Sequence, residues 1–548
     1  MFGSTPRSLR HLLTAAVIIF LVFVSFRSDL SGTDLDLDFF QGPVNVVLEE
    51  PARDWSQHPV VLLHNKARSD FDALLQRQSK TPDEAEREYE RRYGRRPPPG
   101  FRRWVEYALA HASPIIDDFD TISEGVHRFS GVDAKEVRHL MRAAAWRRGN
   151  NRVERCSLAQ GEFGEGCRHF AEPLTRLLGD AKDLAPDVAF LINFLDEPSV
   201  LVGAKESQHS SAVSPWVDMS HNPISGAVRE ACELWSNSSG TDAGIELEKI
   251  QTYDLPFVRD VKASKDLCQH PEYAMAHGFL LSPATFKRMP TEVPLLSQAA
   301  PYPFSDILYP STHYGLESSL YKESQDRSWD RKKNAVYWSG SSTGGYWAAD
   351  SDSWRHAHRQ RLAALGLHKE EGNFTYLDSD GAAIQPYRAD SFDSALFDVS
   401  MTKIVGCEDV CCGEQKRYFG LPRRKHSETR PFRYRFVFDV DGNSYSGRFY
   451  RFLASRSVPL KMSIFREWHD ERLVPWLHYI PVSQSLGEVP ELMRFLATTA
   501  EGQRISRRIA EAGREWYFRA LTPVHQGIYL YRLMLELAWL QDDARVAG

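Results

Sequence analysis

Three features are scarce in this chain of 548 residues, and each scarcity narrows the reading. There is no basic excess: 67 Lys and Arg stand against 73 Asp and Glu, a net charge of −6. Nucleic-acid partners, which need a clustered positive footprint, are therefore excluded. The short basic runs Arg91-Arg92 and Arg95-Arg96 sit among acids and read as a solvated helix face. Cysteines number seven, and no Cys-x-x-Cys pair has a matching second pair, so a zinc site is not expected. After Phe26 there is neither another membrane-length apolar run nor an internal repeat, which removes polytopic and solenoid architectures.

What is present first is an N-terminal address. Leu12 to Phe26 is apolar apart from Thr14 and Ser25, with Arg7 and Arg10 before it and Asp29, Asp34, Asp36 and Asp38 after it. A basic flank stays cytoplasmic, so the expectation is a single-pass type II membrane protein, signal-anchored, with the remainder lumenal. The run is short against the ~20 residues of a typical span, but suits a thin bilayer with snorkelling flanks. A cleaved signal peptide competes, although no A-x-A site follows. A lumenal chain can form disulfides. Cys156 lies near Cys167, and Cys407 near Cys411 and Cys412; Cys232 and Cys268 remain, and the odd count leaves at least one thiol unpaired. Asn237-Ser238-Ser239 and Asn373-Phe374-Thr375 are glycosylation sequons.

The length exceeds what one core usually organises. Residues 28 to about 60 read as a stem. A helix is expected over 69–78. Thr81-Pro82-Asp83-Glu84 then supplies an N-cap, a proline at N1 and a capping-box acid for a helix ending at Gly94. Pro97 to Pro99 break the chain before a helix over 102–112. Asp187 to Pro198 is a near-continuous apolar strand ending in Asp196 and Glu197, and ligands of open α/β sheets sit at that end. The loops around His277-Gly278-Phe279 are expected to wall an acceptor. Asn334 to Trp338 is a second strand, Ser339 to Gly345 a Gly/Ser loop, and Trp354 to Leu365 a helix carrying Arg355, Arg359 and Arg361. A strand lies within 397–405, and helices over about 490–498, 503–519 and 523–541.

Arg435 to Pro481 is the most informative stretch. The strand Phe436-Val437-Phe438 leads into Asp439-Val440-Asp441-Gly442-Asn443-Ser444-Tyr445-Ser446-Gly447-Arg448, then a short helix and a second strand, Val458 to Met462. Glu467-Trp468 and Pro475-Trp476-Leu477-His478-Tyr479-Ile480-Pro481 follow. Strand, Gly-bearing loop and helix is how open α/β sheets hold a phosphate. These pieces, in this order, resemble the core of glycosyltransferase family 90. That family includes fungal capsule-associated (CAP10-like) and xylosyltransferase proteins and the Rumi-type protein O-glucosyltransferases.

The resemblance implies an α/β fold of the GT-B type, two facing Rossmann-like domains. We place the tail and anchor at 1–27, stem and helical linker at 28–100, and an acceptor and base domain at 101–325. A nucleotide-sugar domain at 326–520 and a C-terminal helix and tail at 521–548 follow. It implies inverting transfer of xylose or glucose from a UDP-sugar to a polysaccharide or glycoprotein hydroxyl in the Golgi or ER. Asp196 matches the family's base, with Glu197 its local competitor. The donor would meet Ser339, Gly340, Ser341, Thr343, Arg359, Ser446, Arg448 and Glu467, with Ser342 and Arg355 as further candidates. Ser339 stands where Rumi-type proteins carry arginine. No cofactor is required on this reading; Asp439 and Asp441 spell a Mn²⁺-type Asp-x-Asp, but the two-domain arrangement implies a metal-free strategy. The alternative is a lumenal carbohydrate-binding protein of the same fold without turnover.

Overall fold

A computed structural model describes residues 53–545 except 147–151, 205, 207–211, 236–248, 317–319, 370, 371, 382 and 423–425. The apolar segment Leu12–Phe26 and the Asn237 sequon lie outside these residues. Among the described residues no helix is long and apolar enough to cross a membrane.

The chain is mixed α/β and carries two five-stranded sheets. The first runs in the order β2-β1-β3-β4-β5, from β1 (Val153–Ala159), β2 (Glu162–Phe163), β3 (Val188–Asn193), β4 (Leu295–Ser297) and β5 (Ile307–Leu308). The hairpin of β1 and β2 is antiparallel, β1 meets β3 antiparallel, and β3, β4 and β5 are mutually parallel. The second has the order β7-β6-β8-β9-β10, from β6 (Lys333–Ser341), β7 (Phe397–Lys403), β8 (Tyr434–Val440), β9 (Val458–Met462) and β10 (Ile480–Pro481). Every pairing in it is parallel. A parallel sheet must be covered on both faces, and all residues of β8 and β9 are buried. The helix His358–Gly366 covers one flank. It packs so closely that a side chain on Gly366 would strike Val399 of β7.

The structure departs from the sequence reading at β6. This strand continues through Ser339, Gly340 and Ser341, three residues expected in the loop. They pair with Ser400, Met401 and Lys403 of β7; ladder bonds are made by backbone, so Ser-Gly-Ser extends a strand when a neighbour is in register. The expected helix over 354–365 is also split, a 3₁₀ turn at Ser353–His356 preceding His358–Gly366.

The capping box forms as expected. The Glu84 N–H donates to Thr81 Oγ1 at 3.3 Å, the Thr81 N–H to Glu84 Oε2 at 3.2 Å, and Gly94 closes the helix Pro82–Tyr93 at φ 66°. The region read as stem and linker is built into the protein from Trp55 onward. Trp55, Val60, Leu63 and Ala67 join the core of the second sheet, while Leu74, Ala85 and Tyr89 join that of the first. The last helix, Pro523–Leu540, is apolar almost all round and returns to the first core, as such a helix must be buried to persist. Arg532 and Arg95 hold Glu536 at 2.7 and 2.5 Å, and the Tyr89 hydroxyl donates to it at 3.0 Å. The helix Ala500–Ala520 spans the two, with Ile505 and Ile509 in the second core and Trp516 and Ala520 in the first.

Three disulfides, Cys156–Cys167, Cys232–Cys268 and Cys407–Cys412, leave Cys411 as a buried free thiol. Asn373 is exposed, as a sequon requires.

Candidate active site

The C-terminal ends of the parallel strands of both sheets meet at one seam. From the second sheet, β6 delivers Thr343 and Gly344, and β8 delivers the turn Asp441–Arg448. That turn is braced from beneath by Arg359. Its Nε donates to the Asp441 carbonyl at 2.6 Å, Nη2 to the Val440 carbonyl at 3.2 Å, and Nη1 to Thr343 Oγ1 at 2.6 Å and the Ser341 carbonyl at 3.1 Å. One guanidinium thus ties both loops together. Burial, with Arg448 nearby, pulls its pKa down to about 9.

Two stacked histidines support the same turn, with rings 3.8 Å apart. His358 Nε2–H donates to the Asp441 carbonyl at 2.9 Å, and its Nδ1 accepts from the Gly278 N–H at 3.2 Å. His277 accepts from the Phe279 N–H through Nδ1 and turns Nε2 toward Asp441 Oδ2 at 3.4 Å. Both rings are accordingly neutral, and burial pushes His277 down to about 3. Gly278 lacks a Cβ where the Gly344 carbonyl approaches, and Gly344 has φ 108° with His358 and the Gly442 carbonyl against it. The loop at 277–279 therefore braces the second sheet's loops.

Arg448 is held at one end only. Its Nη1 donates to the Ser339 carbonyl at 2.7 Å, whereas Nη2 is buried without a partner. A buried guanidinium N–H without an acceptor is costly, and an anion at the seam would satisfy it. Ser339 Oγ accepts from the Tyr337 hydroxyl at 2.8 Å. Ser341 and Thr343 hydroxyls lie 3.2 Å apart. The N–H groups of Ser342 and Gly344 are already spent on the Lys403 carbonyl and on Asn443, so this loop offers hydroxyls more than backbone donors. Ser342 Oγ bonds Val405, and Arg355 is paired with Asp352 and Glu414, so neither takes part.

Ser446 and Glu467 belong to a buried charge network. Ser446 donates to Asp439 Oδ1 at 2.5 Å, and Lys461 Nζ lies 3.4 Å from Asp439 and 3.1 Å from Glu467, whose other oxygen accepts from the Tyr314 hydroxyl at 2.5 Å. Asp441 Oδ2 accepts from the Ile464 N–H at 2.9 Å. Asp439 and Asp441 thus face different partners, one of them a cation, and do not converge as a chelate. Among the described residues the one cluster with metal-ligand spacing is Glu154, Cys156 and Cys167, and its cysteines are disulfide-bonded.

From the first sheet, β3 delivers Asp196, exposed, and Glu197, fully buried. Glu197 is a clasp: its carboxylate accepts from the Thr285 N–H at 3.0 Å and hydroxyl at 2.8 Å, and burial raises its pKa. Asp196 faces the seam, where Asn443 Nδ2 donates to it at 3.4 Å. Phe194, two residues earlier, is 42% exposed and meets the edge of His169. Beside them Tyr445 reaches into the first sheet. Its hydroxyl bonds Ser311 and Gln298, and His313 Nδ1 lies 3.1 Å away. Sequence reasoning missed Asn443, Tyr445, Gln298, Ser311 and His313 as parts of one site. Asn443 and Tyr445 lay within the stretch 439–448, and the position of 298 and 311 just after short strands could have flagged Gln298 and Ser311.

Residues 291–544, just under half of the chain, match the family model described as glycosyl transferase family 90. These residues include the loops that carry Thr343, Asn443 and Arg448 and the helix that carries Arg359. That stretch is similar to glycosyl transferase family 90. Over 108 residues it is 28% identical to protein O-glucosyltransferase 3 of Mus musculus, a match covering 20% of this chain and 21% of that protein. Asp196 lies outside the matched residues.

Proposed function

We propose that the chain is an inverting, UDP-sugar-dependent glycosyltransferase with a GT-B-like arrangement, the donor lying against the second sheet and the acceptor against the first. The observation that carries this reading is that one turn beyond β8 carries both Asn443, which reaches the exposed Asp196 carboxylate at the end of β3, and Arg448, whose guanidinium is only half engaged. The acceptor hydroxyl oxygen attacks C1 of an α-linked donor sugar and passes its proton to Asp196. The bond from C1 to the diphosphate oxygen breaks, UDP leaves with the electron pair, and the product is β-linked. Arg448 Nη2, with the Ser341 and Thr343 hydroxyls, holds the charge that develops on the leaving diphosphate. Arg359 positions the loops that carry them. Glu467 and Ser446 serve by orienting Lys461 and Asp439 beneath the site. Ser339 contributes its backbone carbonyl to Arg448, and its side chain does not supply the cation that Rumi-type proteins carry there.

Xylose, then glucose, is the transferred sugar, and a glycan or glycoprotein hydroxyl the acceptor; Phe194 offers an apolar face for it beside the base. No metal is needed, because Asp439 and Asp441 are committed elsewhere. The three disulfides favour an oxidising lumen, and a type II anchor at Leu12–Phe26 accords with them. The test is transfer from a UDP-sugar panel with and without EDTA. Activity lost in EDTA and restored by Mn²⁺ would refute the metal-free reading. UDP binding without turnover of any donor would favour the carbohydrate-binding alternative.

A further inference from the structure

We propose that Asn443 is a positioning residue whose carboxamide couples the donor-side loops to the Asp196 carboxylate. This rests on the reading of Asp196 as base. The Gly344 N–H can only donate, so it fixes Asn443 Oδ1 as its acceptor at 3.2 Å and leaves Nδ2 to face Asp196 Oδ2 at 3.4 Å. A short carboxamide presents a donor and an acceptor together; aspartate would present acceptors only. One end of the bridge is fixed. The Gly442 N–H closes the turn on the Ser444 carbonyl at 2.7 Å, and Arg359 and His358 hold the Asp441 carbonyl from below. The other end is exposed. Among the described residues no other hydrogen bond reaches the Asp196 carboxylate.

The base is therefore oriented from the opposite sheet, by a residue that also bonds the loop beside the diphosphate site. Occupation of that site and alignment of the base are linked through a single side chain. The Asp196 contact is long, as catalytic hydrogen bonds often are before substrate tightens them. The other groups around this carboxylate are Glu197, held by Thr285, and the Tyr445 hydroxyl, held by Ser311 and Gln298.

The test compares Asn443→Ala, Asn443→Asp and Asp196→Asn in the full chain, with UDP-xylose and UDP-glucose as donors and UDP calorimetry alongside. Asn443→Ala is expected to lower kcat about tenfold while donor KM and UDP affinity change less than twofold, the pattern of an interaction used in the chemical step. Asn443→Asp, nearly isosteric and so a safeguard if the alanine variant misfolds, sets a second carboxylate against Asp196. The acid limb of its kcat/KM profile should move up by about one pH unit, because adjacent carboxylates resist joint ionisation. Wild-type kcat in Asn443→Ala, or an unmoved acid limb in Asn443→Asp, overturns the inference, as does a loss of UDP affinity that accounts for the whole drop. If Asp196→Asn is inactive while the Asn443 variants behave as wild type, only this inference fails. If Asp196→Asn remains active, the base assignment fails first.

Discussion

The second sheet is wholly parallel and its central strand is buried at every residue, whereas the first mixes parallel and antiparallel pairings. The contrast continues into their loops. Those of the second sheet are clamped by buried charge: Arg359 on two loops, Lys461 between Asp439 and Glu467, and the His277–His358 stack under Asp441. The first sheet brings an exposed carboxylate with one long hydrogen bond. A leaving diphosphate needs donors fixed before charge develops, while a base must admit an acceptor and exchange a proton with it. On the proposed function, rigidity is concentrated on the side that would hold the donor, and access on the side that would admit the acceptor.

This comparison can be broken most severely at Lys461. Lys461→Met leaves Asp439 and Glu467 as buried carboxylates without their cation. Destabilisation of about 3–5 kcal/mol is expected, measured by chemical denaturation; a loss under 1 kcal/mol would mean that the donor side is not held by this network. Arg448→Ala should leave the fold intact and weaken UDP by about 1.5–3 kcal/mol, the range for hydrogen bonds to charged groups. Arg448→Lys should recover part of that, having lost the planar fork. Calorimetry checks both, and unchanged affinity would remove Arg448 from the donor site.

A smaller effect sharpens the role of the histidine stack. His277 titrates near 6.5 when unfolded and at about 3 in the folded chain. Between those values the unfolded state binds more protons, so this group makes stability fall as pH drops from 6.5 toward 3, by up to about 1.4 kcal/mol per pH unit. Asp441, raised by burial, acts in the opposite direction, so the informative quantity is the difference between the wild type and His277→Asn. The variant should lose less stability between pH 7 and pH 5. Identical slopes would show that the stack does not remain neutral in the folded state.

The same contrast explains what could be read from the chain alone. The strands at 334–338, 436–438 and 458–462 were legible because buried parallel strands are continuous apolar runs, and the helix Pro82–Tyr93 because its cap is local chemistry. Strands β4 and β5 are too short to show a period. Ser339–Ser341 carries no apolar signal, since its strand character comes from pairing with β7. At the seam, the places of Asp196 and Arg448 after strands were legible, and the family resemblance singled them out. The spending of Arg359 on four oxygens, and the meeting of Tyr445 with Ser311 and Gln298, were not. These contacts join residues remote in sequence, and depend on which loop atoms face across the seam.

The central claim, that Asp196 removes the acceptor proton while the second sheet holds the donor, is tested most directly by single-turnover and steady-state transfer with Asp196→Asn. The account predicts a folded protein with wild-type UDP affinity and donor KM, and a kcat lower by roughly 10²–10⁴-fold. Glu197→Gln, altering a clasp on Thr285, should reduce stability more than turnover. Near wild-type kcat in Asp196→Asn would contradict the account.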